Sequence, residues 1–187
     1  MTISFDLSGK TAVVTGANTG LGQAIAVALA GAGAAVALVG RSSMAETESA
    51  IQAAGGRSLS IQADLSTIAP VKDVIDQAAN WSGGVDILVN NAGIIRRADA
   101  VDFSEADWDA VMDVNLKTVF FLSQAFARHR IAEGKPGKII NVASLLSFQG
   151  GIRIPSYTAS KSGLAGLTRL LACEWAGKGI NVNAIAP

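Results

Sequence analysis

Lys10-Thr11-Ala12-Val13-Val14-Thr15-Gly16-Ala17-Asn18-Thr19-Gly20-Leu21-Gly22 is the stretch on which the reading of the fold turns. Lys10 to Thr15 is a short apolar, β-branched run and reads as a buried strand. Thr15 to Gly22 is a turn holding three glycines, spaced Gly-x-x-x-Gly-x-Gly rather than the commoner Gly-x-Gly-x-x-Gly. Leu21 to Gly31 follows, Ala-rich and with apolar positions at helical spacing. A strand, a glycine turn and a helix in that order let backbone come close to an anion. The helix N-terminus adds free N–H groups and the positive end of its dipole. The turn is therefore a candidate pyrophosphate cradle. Glycines that serve packing alone are the competing reading.

Strand and helix alternate from there onward. Further strands are expected at Ala34 to Val39, Leu59 to Ala63, Asp86 to Asn90, Lys138 to Ala143 and Ile180 to Ile185. Helices are expected at Ala45 to Ala54, Ile68 to Trp81, Glu105 to His129 and Ser156 to Ala176. The strands read as apolar on both faces, which demands a parallel sheet covered by helices on both sides. The fold class is α/β, a doubly wound parallel sheet. With no linker, repeat or composition break, residues 1–187 read as a single domain. Ala186-Pro187 follow the last strand directly, so the C-terminal part of the domain is expected to be missing.

Composition narrows the function classes. Fifteen basic and fifteen acidic residues give a net charge of zero, so no basic excess advertises a nucleic-acid surface. One cysteine, Cys173, excludes an internal disulfide and suits a reducing cytoplasm. It lies among apolar helix residues and is expected to pack inertly. No apolar run reaches the ~20 residues of a membrane span. No Cys, His and Asp cluster has metal-ligand spacing, so no metal is expected. The sole histidine, His129, sits near a helix C-terminus, where dipole and solvent account for it.

Ser156-Tyr157-Thr158-Ala159-Ser160-Lys161 carries the chemistry. Tyr157 and Lys161 are four apart at the start of a helix, which puts phenol and ammonium on one face. A phenol with a pKa of about 10 is a poor acid–base group at neutral pH. A neighbouring cation favours the phenolate and lowers that value. The pair is thus a tunable proton donor and acceptor for an alcohol or carbonyl.

In combination these motifs resemble the short-chain dehydrogenase/reductase family. Thr15 to Gly22 is similar to its cofactor turn, Asn90-Asn91-Ala92-Gly93 to its motif after the fourth strand, and Asn115, Ser144, Tyr157 and Lys161 to its catalytic tetrad. Asn183 to Pro187 is similar to the start of its motif after the sixth strand. The resemblance implies a Rossmann-type sheet and an NAD or NADP cofactor held by Gly16, Asn18, Thr19, Gly20, Leu21, Gly22, Arg41, Asp64, Leu65, Asn91, Ala92, Gly93, Tyr157 and Lys161. It implies that Tyr157 is the acid/base, that Lys161 lowers its pKa and holds the nicotinamide ribose, and that Ser144 polarises the substrate oxygen. Asn115 would hold a water in a relay toward Lys161; a solvent-facing Asn is the plainer reading. Asp64 and Leu65 would flank the adenine, with Asp64 as an N-cap of the next helix as the alternative.

Gly40 stands at the end of the second strand, where an acidic residue would bind the adenosine 2′-hydroxyl. Arg41 follows and suits a 2′-phosphate. Local chemistry leans to NADP, whereas the subgroup that the chain resembles generally uses NAD. That subgroup holds 2-deoxy-D-gluconate 3-dehydrogenases and 2-dehydro-3-deoxy-D-gluconate 5-dehydrogenases. The resemblance rests on Ile95-Arg96-Arg97 and on Ser144 to Gly163. It implies a small sugar-acid substrate. Arg96 and Arg153, with Gln149 as auxiliary, are the candidate partners for its carboxylate and hydroxyls. A 3-oxoacyl thioester reductase and a non-catalytic dinucleotide-binding regulator remain open. Apolar residues on several faces of the two long helices, with the family resemblance, imply a homotetramer.

Overall fold

The computed structural model describes residues 5–187. β1 (Thr11–Thr15), β2 (Ala35–Gly40), β3 (Arg57–Gln62), β4 (Ile87–Asn90), β5 (Gly137–Val142) and β6 (Ile180–Ile185) form one sheet in the order β3-β2-β1-β4-β5-β6. Every pairing is parallel, and β1 is central, with Val14 opposite Leu38 on one side and Val89 on the other. The helices are α1 (Gly20–Gly31), α2 (Ala45–Ala53), α3 (Val71–Ser82), α4 (Glu105–Met112), α5 (Thr118–Ala132) and α6 (Pro155–Trp175).

Successive residues of a strand face opposite sides. Val13 joins a core with Val74 of α3, Leu122 of α5 and Leu171 of α6. Val14 joins a separate core with Ala26 of α1 and Ile51 of α2. Helices therefore cover both faces, and the sheet is doubly wound and Rossmann-type. β1 and β4 are buried throughout, as strands covered twice must be. The edge strands differ from the expectation of apolarity on both faces. Only Ile61 of β3, and Ile180 and Val182 of β6, are buried.

Three local expectations need correction. The single helix expected from Glu105 to His129 is two helices joined by a π-turn, Asp113–Lys117, and it runs on to Ala132. An inserted π-turn rotates the residues that follow, and such turns concentrate at functional sites. α3 starts at Val71 rather than Ile68, because Pro70 disfavours helical backbone at Ala69. Cys173 is exposed rather than packed. The buried stripe of α6 is Leu164, Thr168, Leu171 and Trp175, which leaves residue 173 on the outer side.

Strand order reverses between β1 and β4, so a crevice opens at their carboxyl ends. The glycine turn after β1 and the Asn91-to-Gly93 segment after β4 meet there.

Candidate active site

Two side chains lock the crevice. The Thr15 hydroxyl donates to the Val89 carbonyl (3.3 Å) and accepts from the Asn91 and Ala92 amides (both 3.0 Å). Nδ2 of Asn91 donates to the carbonyls of Thr15 (2.9 Å) and Gly16 (3.2 Å). The ends of β1 and β4 are thus stitched by five bonds within one turn of chain on each side. α1 starts so close to this stitching that a Cβ on Gly22 would lie 2.1 Å from the Gly16 carbonyl oxygen. Gly20, at φ +57°, faces open space. Thr19 caps α1 without a side-chain hydrogen bond, so the amides of the first turn keep their capacity for an anion.

From this cradle a trough runs both ways. One arm, about 370 Å³, is bounded by Gly16, Asn18, Gly40, Arg41, Asp64, Leu65 and Ala92. The other, about 520 Å³, is bounded by Leu21, Asn91, Val142, Ser144, Tyr157, Lys161 and Pro187. Gly93 and Ile94 border both arms. Two arms meeting at a glycine-built anion cradle suit a dinucleotide, whose two halves join at a pyrophosphate. Thr19, Gly20 and Gly22 shape the cradle without lining either arm. Asp64 does not cap α3, which begins seven residues later at Val71. Its Oδ1 accepts from the Ser66 amide (3.0 Å), and these bonds, with a smaller effect of Arg41, hold its carboxyl below the usual range.

In the second arm α6 places Tyr157 and Lys161 one turn apart, with Nζ 5.7 Å from the centre of the phenol ring. Lys161 is buried and donates to the Val142 carbonyl (2.6 Å). Burial pushes its ammonium down from 10.5 to about 8, so it remains a cation at neutral pH. Ser144 follows β5 in extended backbone, and its Oγ accepts from the Leu146 amide (3.2 Å). Its hydroxyl proton is left to donate into the trough.

Asn115 is fully buried, not solvent-facing. The π-turn aims its amide at the loop after β4, where Oδ1 accepts from the Ile94 amide (2.8 Å) and Nδ2 donates to the Ile94 carbonyl (2.9 Å) and to Ser160 Oγ (3.3 Å). Ser160 in turn donates to the Tyr157 carbonyl (2.8 Å). Ser147 Oγ donates to the Lys161 carbonyl (2.8 Å), tying the segment after β5 to α6. A Cβ on Gly93 would sit 3.3 Å from Asn115 Oδ1 and 3.8 Å from Lys161 Nζ, so the glycine keeps that polar wall open. Thr15, Ser147 and Ser160 were not marked by sequence. A Ser or Thr in a helix or strand carries no local sign of its partner.

The expected substrate side chains disperse. Arg96 Nε pairs with Asp107 (3.2 Å) and borders the first arm, away from Tyr157. Arg153 pairs with Asp99 (3.0 Å) and Gln149 is exposed, and neither borders the trough. Arg97, adjacent to Arg96, does border the arm that holds Tyr157.

The buried lysine makes stability depend on pH. Its folded pKa lies below the unfolded 10.5, so the charged form penalises folding by about 3 kcal/mol below pH 8. The penalty fades as pH rises from about 8 to 10.5, where the unfolded chain still binds the proton and the folded chain does not. In denaturant titrations of the ligand-free protein, wild type should gain stability relative to Lys161→Met across that window. A constant difference between the two would show that Lys161 is not desolvated.

The sequence profile of the short chain dehydrogenase family matches residues 10–187. A 2-dehydro-3-deoxy-D-gluconate 5-dehydrogenase of Escherichia coli is 58% identical over 184 residues, which is 98% of this chain and 73% of that protein. Its Bacillus subtilis counterpart is 51% identical over 185 residues, 98% of this chain and 72% of the other. A crystal structure from Agrobacterium tumefaciens, provisionally named a 2-deoxy-D-gluconate 3-dehydrogenase and holding NADP, superposes with a TM-score of 0.89 at 61% identity, covering 98% of this chain and 72% of that one. With its glycine cradle, its two-armed trough and a family match running from β1 to its last residue, the chain belongs to the short chain dehydrogenase family.

Proposed function

We infer that the protein is an NAD(P)-dependent oxidoreductase that interconverts an alcohol and a ketone on a small sugar acid, of the kind of 2-deoxy-D-gluconate or 2-dehydro-3-deoxy-D-gluconate. The observation that carries this is the convergence of Ser144, Tyr157 and Lys161, from β5 and α6, on one arm of a trough whose other arm and cradle suit a dinucleotide. Relatives named for that substrate class at 51–58% identity support the choice of substrate.

A nicotinamide cofactor held along the cradle by Gly16, Asn91 and Gly93 would supply hydride chemistry at the carbon that bears the oxygen. The Tyr157 phenol gives the substrate oxygen a proton in reduction and removes it in oxidation. The Lys161 cation stands 5.7 Å from the phenol ring, and its bond to Val142 fixes its position. The Ser144 hydroxyl donates to the same substrate oxygen and polarises it. Asn115 holds the Ile94 backbone against α6, which sets the distance between the two walls.

Spectrophotometric assay of the purified protein with sugar acids, with 3-oxoacyl thioesters and with each cofactor tests this reading. Turnover of thioester alone would make it a 3-oxoacyl reductase. Dinucleotide binding with no turnover of any alcohol or ketone would make it a regulator.

NADP is the proposed cofactor. Arg41 borders the first arm, Ser42 holds the neighbouring Asn18 (3.1 Å), and no carboxylate ends β2. Structures with NADP bound, from Agrobacterium tumefaciens and Beutenbergia cavernae, support it. A Cβ on Gly40 would meet only ordinary contacts, 3.6 Å from Met44 Sδ and 3.7 Å from Asn18 Oδ1. Gly40→Asp therefore fits, adds an acceptor for a ribose hydroxyl and repels a 2′-phosphate. NADP affinity should fall roughly tenfold or more while NAD affinity rises, the scale of a charge-assisted bond. Equal changes for both cofactors in binding titrations would place the 2′ position elsewhere.

A homotetramer is the proposed assembly. Val119, Leu122, Leu164 and Leu171 are consumed by the chain's own core. Phe120 and Phe121 are partly buried and stack edge to face, and Trp108 and Leu170 are 39% and 54% exposed. This surplus on α4, α5 and α6 suits a partner copy. Light scattering at micromolar concentration should give an oligomer, and a monomer mass would overturn the assembly. Among the described residues no helix is long and apolar enough to cross a membrane. A cytoplasmic location fits the lone exposed cysteine, and recovery outside the cytoplasm on fractionation would contradict it.

A further inference from the structure

A chain of buried polar side chains lies beneath the trough, and neither the cradle nor the proton chemistry uses it. Asn90 ends β4 and stands opposite Asn141 of β5 in the sheet. Nδ2 of Asn90 donates to Asn141 Oδ1 (2.9 Å) and to Ser123 Oγ of α5 (3.1 Å). Nδ2 of Asn141 donates to Thr168 Oγ1 of α6 (2.9 Å). Ser123 and Thr168 give their own protons to the Val119 and Leu164 carbonyls, one turn back (2.8 and 2.7 Å). All four side chains are buried.

A hydroxyl that has spent its proton can only accept. Asn141 must therefore turn its NH2 to Thr168, which leaves its carbonyl oxygen for Asn90. The chain has one direction, and both amides are fixed by it. Apolar packing is non-directional and tolerates sliding, whereas a satisfied buried network specifies one arrangement. The four elements it ties are those that assemble the site. β4 leads into Asn91, β5 leads into Ser144, α5 follows the π-turn that holds Asn115, and α6 carries Tyr157 and Lys161. α6 meets β5 at two polar points, Thr168 on Asn141 and, seven residues earlier, Lys161 on the Val142 carbonyl (2.6 Å). Two points about 10 Å apart along a helix axis, landing on consecutive residues of one strand, fix both the height and the tilt of α6.

We propose that Asn141 and Thr168 are positioning residues: their bond sets the register of α6 on β5 and so places the Lys161 ammonium and the Tyr157 phenol relative to Ser144. This rests on the oxidoreductase reading above.

The test uses three variants. Thr168→Val exchanges the hydroxyl for a methyl, Thr168→Ser keeps the hydroxyl, and Ile51→Val thins the core on the other face of the sheet. With NADP and either 2-deoxy-D-gluconate or 2-dehydro-3-deoxy-D-gluconate, Thr168→Val should lose roughly 10- to 100-fold in kcat, the scale of misplacing reacting groups by about 1 Å. Its KM should stay within about twofold. Thr168→Ser should recover most of the loss, and Ile51→Val should keep the wild-type kcat. A second arm needs no substrate. The groups that face Lys161 are Tyr157 on its own helix and the uncharged Val142, Gly93 and Asn115, and burial is what lowers its pKa. A displaced ammonium regains water. The gain in stability between pH 8 and 10.5, measured against the matching Lys161→Met protein, should therefore shrink in the Thr168→Val background. A Thr168→Val enzyme with wild-type kcat overturns the positioning role. So does a Thr168→Ser enzyme no better than the valine variant, or an undiminished gain with pH. A wild type that turns over neither sugar acid overturns the sugar-acid reading, and the pH arm then decides the register by itself.

Discussion

Tyr157→Phe should lose roughly 10²–10⁴ in kcat, the contribution of a positioned general acid–base group, while NADP still binds. The variant removes one oxygen and keeps the ring that packs at the start of α6. Three features make the loss specific to the proton. Tyr157 borders the arm with Ser144 and Lys161. The Lys161 cation is 5.7 Å from the phenol ring and is buried, so its field is little screened. The helix around Tyr157 is tied by Ser160, Ser147 and Asn115 through bonds that do not involve the phenol oxygen. Steady-state rates and a binding titration on the same preparation check the prediction. Turnover near wild type would move the acid/base role to another group.

Gly22→Ala should abolish measurable dinucleotide binding and destabilise the protein by at least ~1–3 kcal/mol, the cost of overpacking a closed site. The added methyl would stand 2.1 Å from the Gly16 carbonyl oxygen and 2.4 Å from Asn91 Nδ2. The first is backbone and cannot swing away. Relief must come from moving α1 off the sheet or from breaking the Asn91 bonds that shape the cradle. Gly20→Ala is the matched comparison. There the methyl meets open space, and only the φ of +57° is strained, which costs ~1–2 kcal/mol. Thermal unfolding and NADP titration of both variants separate the two effects. A Gly22→Ala protein that binds NADP normally would sink the close-approach account of that glycine.

Much of the site was legible in the chain because it is local. The glycines act within one turn, and Tyr157 and Lys161 act across one turn of one helix. Their spacing alone sets their relation, whatever they pack against. Residues whose role depends on a distant partner were less legible. Asn115 could be read as solvent-facing, because nothing in Glu105 to His129 announces the π-turn that buries it against Ile94, 21 residues earlier. Thr15 reaches residues 74 to 77 positions away, and no strand pattern singles out a threonine for that task.

The loops were the least legible. Arg96 and Arg97 are adjacent and chemically identical, yet one borders the arm that holds Arg41 and Asp64 and pairs with Asp107 while the other borders the arm that holds Ser144 and Tyr157 unpaired. An irregular segment has no period, so the sequence cannot tell which way successive side chains turn. Cys173 shows the same limit within a helix. Most of its neighbours are apolar, but the buried stripe of α6 is fixed by contact with the sheet. By itself the sequence determined the alternation of strand and helix, the parallel doubly wound sheet, the glycine turn after β1 and the one-turn spacing of Tyr157 and Lys161, all set by backbone periodicity and one-turn geometry. Only the tertiary structure decided which arginine borders the arm that holds Tyr157, that Asn115 is a buried clamp, and how the ends of β1 and β4 are joined. Those outcomes depend on packing between elements far apart in the chain, where hydrogen bonds form only after the sheet and helices have assembled.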